Sequence, residues 1–383
     1  MKNFDTVWND KKNKAIIIIS LIILSQIIQL VMCAILTDNS SFIDLLKHLN
    51  HYDSYHYKRI ISNGYASTPI NIAGEANWAF FPLFPMIIRA IYLLTNAHIE
   101  LIAFIVNSIF LFGAIIYGTN YMKITGCNSQ SQLLLSVFLT LGCYSFYNTL
   151  IYTEALSLFL LTFCLYQLEK KQYIKLGIAG MLFSMARNIG IFIEFVILVK
   201  WIMDYCENKE DYNNSFYKYF LESLNNLSLV FCVSIIPAGF FSYVLYLYQL
   251  TGDGLAFLHV QYGWGRENSF FLSVFLKGIK EITGHGSYLA IWSVIGVWIT
   301  IITIFKYRKY HEAILCFISI FFSMQSALDS IPRYMFGVFV FYKTTSLLIS
   351  DSKWYNKLFL ITFILFYELV LINGWIMGEG VLT

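Results

Sequence analysis

The chain has 383 residues, of which 58% are hydrophobic, 18% aromatic and 13% charged, against about a quarter charged in an ordinary soluble domain. That balance excludes a soluble globule, and a mean hydropathy of +0.62 with only 5 prolines excludes a disordered or collagen-like chain. The hydrophobic mass must lie in lipid as a bundle of helices, and a net charge of +3, with 26 Lys and Arg scattered over short loops, excludes nucleic acid as a partner. The expected class is an all-α polytopic membrane protein.

The 7 cysteines are odd in number, form no C-x-x-C pair and mostly fall in apolar runs (Cys33, Cys143, Cys164, Cys232, Cys316). They read as small core hydrophobes, with no disulfide or zinc framework.

At the N-terminus, Lys2, Lys11, Lys12 and Lys14 precede the uncharged run 15–36, which at 22 residues is long enough to span a bilayer core. The run resembles a signal anchor, because a cleaved signal peptide has a shorter apolar region and a small-residue site. Its positive flank puts the N-terminus in the cytoplasm and 37–78 outside. From the other terminus, the basic loops 306–311 and 351–357 alternate with 327–333 and the tail 377–383, so charge bias makes the first pair cytoplasmic and the second pair outer. The same parity places 251–285 outside and 204–223 inside, with the lysines of 169–175 also inside.

Four apolar runs lie between the outer loop and those lysines, at 79–95, 101–118, 132–148 and 152–168, and parity forbids all four from crossing. The one expected not to cross is 79–95, which is short and holds Pro82, Pro85 and Arg89. It reads as a juxtamembrane or re-entrant helix on the outer side. Residues 174–203 begin and end inside, so they form a hairpin of two short helices with 187–190 near the outer end; a single span with 169–175 reversed is the competing arrangement. The result is about eleven crossings in one domain over 1–383, with outer loops at 37–98 and 251–285. No internal repeat of the transporter kind is visible.

The first outer loop carries His51-Tyr52-Asp53-Ser54-Tyr55-His56-Tyr57-Lys58-Arg59. As a helix it puts Asp53, His56, Tyr57 and Ile60 on one face, after an interfacial apolar stripe of Phe42, Leu45, Leu49 and Tyr52. A carboxylate held among aromatics at a membrane surface is partly desolvated and suited to general-base work. Two other readings of the same residues stand beside it: a solvated loop Asp next to Lys58 and Arg59, and a metal site of His51, Asp53 and His56. The cluster Asn77-Trp78-Ala79-Phe80-Phe81-Pro82-Leu83-Phe84-Pro85 is a site wall or an interfacial aromatic belt. Tyr152-Thr153-Glu154 opens a helix at the same face, where Glu154 is equally suited to capping a dipole or to chemistry. Arg187 lies in an apolar run and is functional or paired with Glu194. His259, Gln261 and Arg266 in one segment, and Arg333 in Ile331-Pro332-Arg333-Tyr334, offer outer-surface groups suited to a phosphate or to lipid headgroups. One carboxylate, several cations and an aromatic rim together describe a site for a sugar carried on a lipid phosphate, since inverting transfer needs one base and a stabilised leaving charge.

Those residues resemble a known family. Asp53-Ser54-x-His56-Tyr57, Gly64-Tyr65, Ala79-Phe80-Phe81-Pro82-Leu83-Phe84-Pro85, Tyr152-Thr153-Glu154-Ala155, Ala186-Arg187-Asn188-x-Gly190 and Pro332-Arg333-Tyr334 follow, in order and approximate spacing from about 50 to 335, the pattern of the PIG-V family, the GPI mannosyltransferase II type enzymes and their bacterial relatives. The resemblance implies a GT-C glycosyltransferase fold with juxtamembrane helices in the first outer loop. It also implies an inverting α-mannosyltransferase using a polyprenyl (dolichyl) phosphate mannose donor, with Asp53 as base and no obligatory metal or other cofactor. Two departures stand out: Tyr52 replaces the usual Trp before the Asp, and Arg187-Asn188-Ile189-Gly190 replaces R-S-N-G.

The expected function is therefore a multi-pass membrane glycosyltransferase acting on the extracytoplasmic or lumenal face, in a bacterial inner membrane or, in a eukaryote, the endoplasmic reticulum. Asp53 is the base, Arg187, Arg266 and Arg333 bind the donor phosphate, and His56, Tyr57, Trp78, Glu154, Asn188, His259 and Gln261 surround the sugar and a glycolipid or glycan acceptor. The alternatives are a transporter or flippase of a lipid-linked or small solute and a scaffold without turnover. An accessory subunit is left open.

Overall fold

The computed structural model of the protein describes residues 2–265, 270–280, 285–324 and 331–379. Among them, every regular element is a helix. α1 (Lys2–Asn9) runs through Asp10, whose carboxylate accepts from Asn13 N at 2.8 Å, into α2 (Lys11–Thr37), a helix of about 40 Å at 1.5 Å per residue. Short helices α3 (Phe42–His48), α4 (Ser54–Asn63) and α5 (Leu83–Thr95) follow, and then α6 (Ile99–Ile124), α7 (Ser129–Leu141) and α8 (Glu154–Glu169). α9 (Tyr173–Ala186), α10 (Ile193–Glu207), α11 (Phe216–Asn225) and α12 (Leu227–Thr251) come next. The last elements are α13 (Ala256–His259), α14 (Phe271–Lys280), α15 (His285–Phe305), α16 (Tyr310–Met324), α17 (Ile331–Phe336), α18 (Phe339–Asp351) and α19 (Trp354–Ile376). Among the described residues, five helices are long and apolar enough to cross a membrane: α2, α6, α12, the Tyr288–Phe305 part of α15, and α19.

Cross-links between loops sort the chain into two ends. At one end Trp8 Nε1 donates to Gln132 Oε1 at 3.0 Å, Lys123 bonds Asn9 at 2.8 Å, Lys357 bonds Gln130 at 3.0 Å and Lys306 pairs with Asp351 at 2.8 Å. Lys200 with Glu169 at 3.6 Å and Lys171 with Asp204 at 3.5 Å join the same end. The last two pairs bring the start of α9 beside the end of α10, so 174–203 runs out and returns as a hairpin with Arg187 at its apex. At the other end Trp375 Nε1 donates to Leu49 O at 2.8 Å, Tyr52 OH to Gly378 O at 2.6 Å and Tyr152 OH to His51 O at 3.0 Å. α5 begins and finishes there: Arg89 Nη1 donates to Ile61 O at 2.7 Å, and Glu100, just after α5, pairs with Lys58 at 3.2 Å.

The expected run 132–148 is helical only to Leu141. A side chain on Gly142 would meet Phe138 O at 2.5 Å, and beyond it the buried chain to Thr153 holds the short 3-10 turn Ser145–Thr149 and is otherwise irregular. Such backbone survives at membrane depth only when every polar group finds a partner. Asn148 Nδ2 donates to Leu139 O at 3.1 Å, Asn107 Nδ2 to Leu150 O, and Ile151 N to Asn50 Oδ1 at 2.7 Å. Glu368 Oε1 accepts from Phe146 N at 2.8 Å and Ser145 Oγ at 2.9 Å. Nearer the opposite end, buried Lys343 is neutralised by Glu312, which also accepts from Tyr121 OH at 2.6 Å. Pairing is what makes a fully buried lysine tolerable in lipid.

Candidate functional site

Tyr52 takes a left-handed turn, φ +50°, and delivers Asp53 to the start of α4. Asp53 makes no side-chain cap bond; its Oδ2 instead accepts from Arg333 Nη1 at 2.6 Å. Arg333 is fixed from three sides. Its Nε donates to Glu154 Oε1 at 2.8 Å, and its guanidinium lies 4.5 Å from the Tyr152 ring and 5.4 Å from the Tyr147 ring. Arg187, at the apex of the α9–α10 hairpin, reaches the same Glu154 oxygen through Nη2 at 3.4 Å and lies 5.2 Å from the Tyr334 ring. Gly337 makes room for it, since a Cβ there would stand 2.7 Å from Arg187 Nη1. The alternative partner for Arg187, Glu194, is not used: Glu154 takes that role because α8 begins beside the hairpin apex, and Glu194 Oε1 is buried with no hydrogen-bond partner.

Asp53, Arg187 and Arg333 face a cavity of about 260 Å³ that Tyr57, Asn188 and Gln261 also line. Six residues proposed from the sequence thus converge from four separate chain segments. The cavity adjoins a second one of about 360 Å³, with Ala79, Phe81, Asn188, Gln261 and Tyr334 common to both. The second is apolar, walled by Phe192, Phe240, Phe257, Ile318 and Phe322.

Other proposed residues stand elsewhere. Glu154, with 3% of its side chain exposed, is absent from the cavity lining and pairs with both arginines. Trp78 is buried, its Nε1 donating to Ala66 O at 2.6 Å and its carbonyl accepting from Tyr243 OH at 2.7 Å, and it shapes the first loop. His56 stacks on Phe80 at 4.9 Å and meets the edge of Trp264 at 5.8 Å, behind two residues that do line the cavity. Burial lowers its pKa, against the raising influence of Asp53 and Glu75. His259 is exposed and bonds Asp253 at 2.7 Å, away from the cavity. Arg266 lies outside the described residues. Among those residues, no three His, Cys, Asp or Glu side chains gather as metal ligands.

Thr153, Phe80 and Trp264 also line the cavity. Thr153 and Phe80 were visible only as members of quoted motifs, and Trp264 only as a neighbour of Gln261. Tyr147, stacked near Arg333, carried no sequence signal, because nothing in an apolar run distinguishes a tyrosine that faces a guanidinium.

No protein-family model matches the chain and no curated relative does. Among solved structures it is similar to an archaeal oligosaccharyltransferase, AglB from Archaeoglobus fulgidus in complex with an inhibitory peptide and a dolichol-phosphate. The TM-score is 0.51 and the identity 11%, over 93% of this chain and 55% of that one. The chain shares the helical fold of that structure. An Archaeoglobus fulgidus oligosaccharyltransferase in complex with Zn and sulfate aligns at a TM-score of 0.45 and 12% identity, over 93% of this chain and 53% of its own. The chain spans about half the length of the structures it matches. With five apolar helices of spanning length, it is a multi-pass membrane protein.

Proposed function

We propose that the protein is an inverting glycosyltransferase that moves a sugar, mannose by its motifs, from a polyprenyl phosphate to a glycolipid or glycan acceptor. The observation that carries this reading is one carboxylate, bonded to one of two guanidiniums, lining with both of them a polar cavity that adjoins an apolar one. The apolar cavity suits the first isoprene units of a lipid donor, and Arg187 and Arg333 suit its phosphate. Asp53 takes the proton of an acceptor hydroxyl as the hydroxyl oxygen bonds to the anomeric carbon. The bond from that carbon to the phosphate oxygen breaks on the opposite face, and the leaving charge stays with the arginines. Because Arg333 Nη1 bonds Asp53 directly, a donor phosphate that draws Nη1 away frees Oδ2 for the acceptor.

The lysines gathered at the opposite end support a cytoplasmic N-terminus and a site on the extracytoplasmic or lumenal face. The PIG-V resemblance supports metal-independent transfer. The test is transfer of labelled mannose from polyprenyl phosphate mannose in membranes containing the protein, with lipids and proteins extracted and counted separately. Transfer above control membranes supports the reading, and the labelled fraction identifies the acceptor class. Absence of transfer from mannose, glucose and N-acetylglucosamine donors alike, by folded protein, refutes it.

A further inference from the structure

α11, between α10 and α12 at the end of the molecule away from the site, has no buried residue. Its ten residues divide into three sectors at helical spacing. Tyr219 and Ser223 turn toward α10, where Trp201 Nε1 donates to Ser223 Oγ at 2.8 Å and Tyr219 stacks on the Trp201 ring at 4.9 Å. Lys218, Glu222 and Asn225 form a polar sector. Phe216, Tyr217, Phe220, Leu221 and Leu224 form a third, with Phe216 47%, Tyr217 69% and Leu224 49% exposed. Phe216 meets the ring edges of Trp201 and Tyr205 at 5.3 and 5.1 Å on its α10 side, and the rest of the sector stays exposed.

We propose that α11 is an interfacial membrane helix, with this apolar sector seated in the boundary between headgroups and acyl chains of the leaflet away from the site. Continuity with a lipid-facing surface identifies the occupant. A single residue, Asn226, joins α11 to the spanning helix α12, its Oδ1 accepting from Leu229 N at 3.2 Å. Leu227, Val230, Phe231 and Val233, exposed apolar positions of α12's first turns, follow directly on this joint. At the end of α10, the ion pairs of Asp204 with Lys171 and Lys200 mark the polar level at which the chain leaves the bundle. An amphipathic helix lying there sinks its apolar face about 5–10 Å below the headgroups while its charged side chains stay in water.

Single cysteines at Phe220, Leu224, Lys218 and Glu222, in the full chain with exposed Cys206 replaced by serine, are labelled with an environment-sensitive fluorophore and reconstituted in phosphatidylcholine vesicles. Positions 220 and 224 are expected to emit at shorter wavelength, to lose fluorescence to a nitroxide near the top of the acyl chain and to resist aqueous iodide. Positions 218 and 222 are expected to show the reverse. Equal iodide quenching at all four positions overturns the proposal. So does resistance of 220 and 224 to both quenchers together with cross-linking between copies, which makes the face a protein interface.

Discussion

Glu154 and Arg333 are 179 positions apart, and the account makes their bond the frame on which the site hangs. Glu154→Gln removes one charge from a group with 3% of its side chain exposed, and leaves Arg333, at 9%, with Asp53 alone. A charge-assisted hydrogen bond contributes about 1.5–3 kcal/mol, and removing one member of a buried ion pair costs about 3–5 kcal/mol. Because Asp53 and two tyrosine rings still contact Arg333, a loss near 3 kcal/mol is expected. Arg333→Met should cost a similar amount. The pair should lose less than the sum, with a coupling of about 1–3 kcal/mol. Unfolding in mixed micelles titrated with dodecyl sulfate, followed by tryptophan emission, measures all four corners of the cycle. A coupling within about 0.5 kcal/mol of zero would mean that the two residues do not meet, and the site geometry would fall with it.

Gly337→Ala puts a methyl 2.7 Å from Arg187 Nη1 and should push that guanidinium aside. Overpacking of this kind costs about 1–3 kcal/mol, so donor KM should rise about tenfold or more while Arg333-dependent stability is kept; an unchanged KM contradicts a phosphate role for Arg187. Tyr52→Phe removes the 2.6 Å bond to Gly378 O and should lower kcat by loosening the turn before Asp53, with donor KM nearly unchanged; equal kcat in the two proteins contradicts this. Burial depresses His51 and His56 below their ordinary 6.5, so the unfolded chain binds more protons below that pH. Stability is therefore full above about pH 7 and falls progressively below 6.5. His56→Gln should recover part of the fall in thermal midpoint between about pH 7.5 and 5.5, and identical falls in both proteins contradict it.

Much of this architecture was legible in the residues because lipid imposes simple rules. Apolar runs announced α2 and α6, charge parity required that one of four runs not cross, and the prolines of 79–95 picked out which. Asp53, Arg187 and Arg333 were legible because a charge among apolar neighbours needs a reason. The role of Glu154 was not: a carboxylate opening a helix reads equally as a cap, a ligand or a counter-ion, and only the fold brings it to two distant arginines. Trp78, His56 and His259 stand outside the cavity lining, which the sequence did not reveal, since polar aromatics near a site motif look alike whether they face the cavity or the loop behind it. The irregular run 142–153 escaped as well, because its backbone is satisfied by Glu368, Asn107 and Asn50 from other elements and no local pattern encodes that.

The central claim is that Asp53 is the base, and the most direct measurement is the rate of mannose transfer from polyprenyl phosphate mannose by Asp53→Asn and wild-type protein reconstituted side by side, with unfolding curves showing both folded. Loss of a positioned general base predicts a fall of about 10²–10⁴-fold in kcat with donor binding retained. An Asp53→Asn protein that folds and transfers at the wild-type rate would contradict the account.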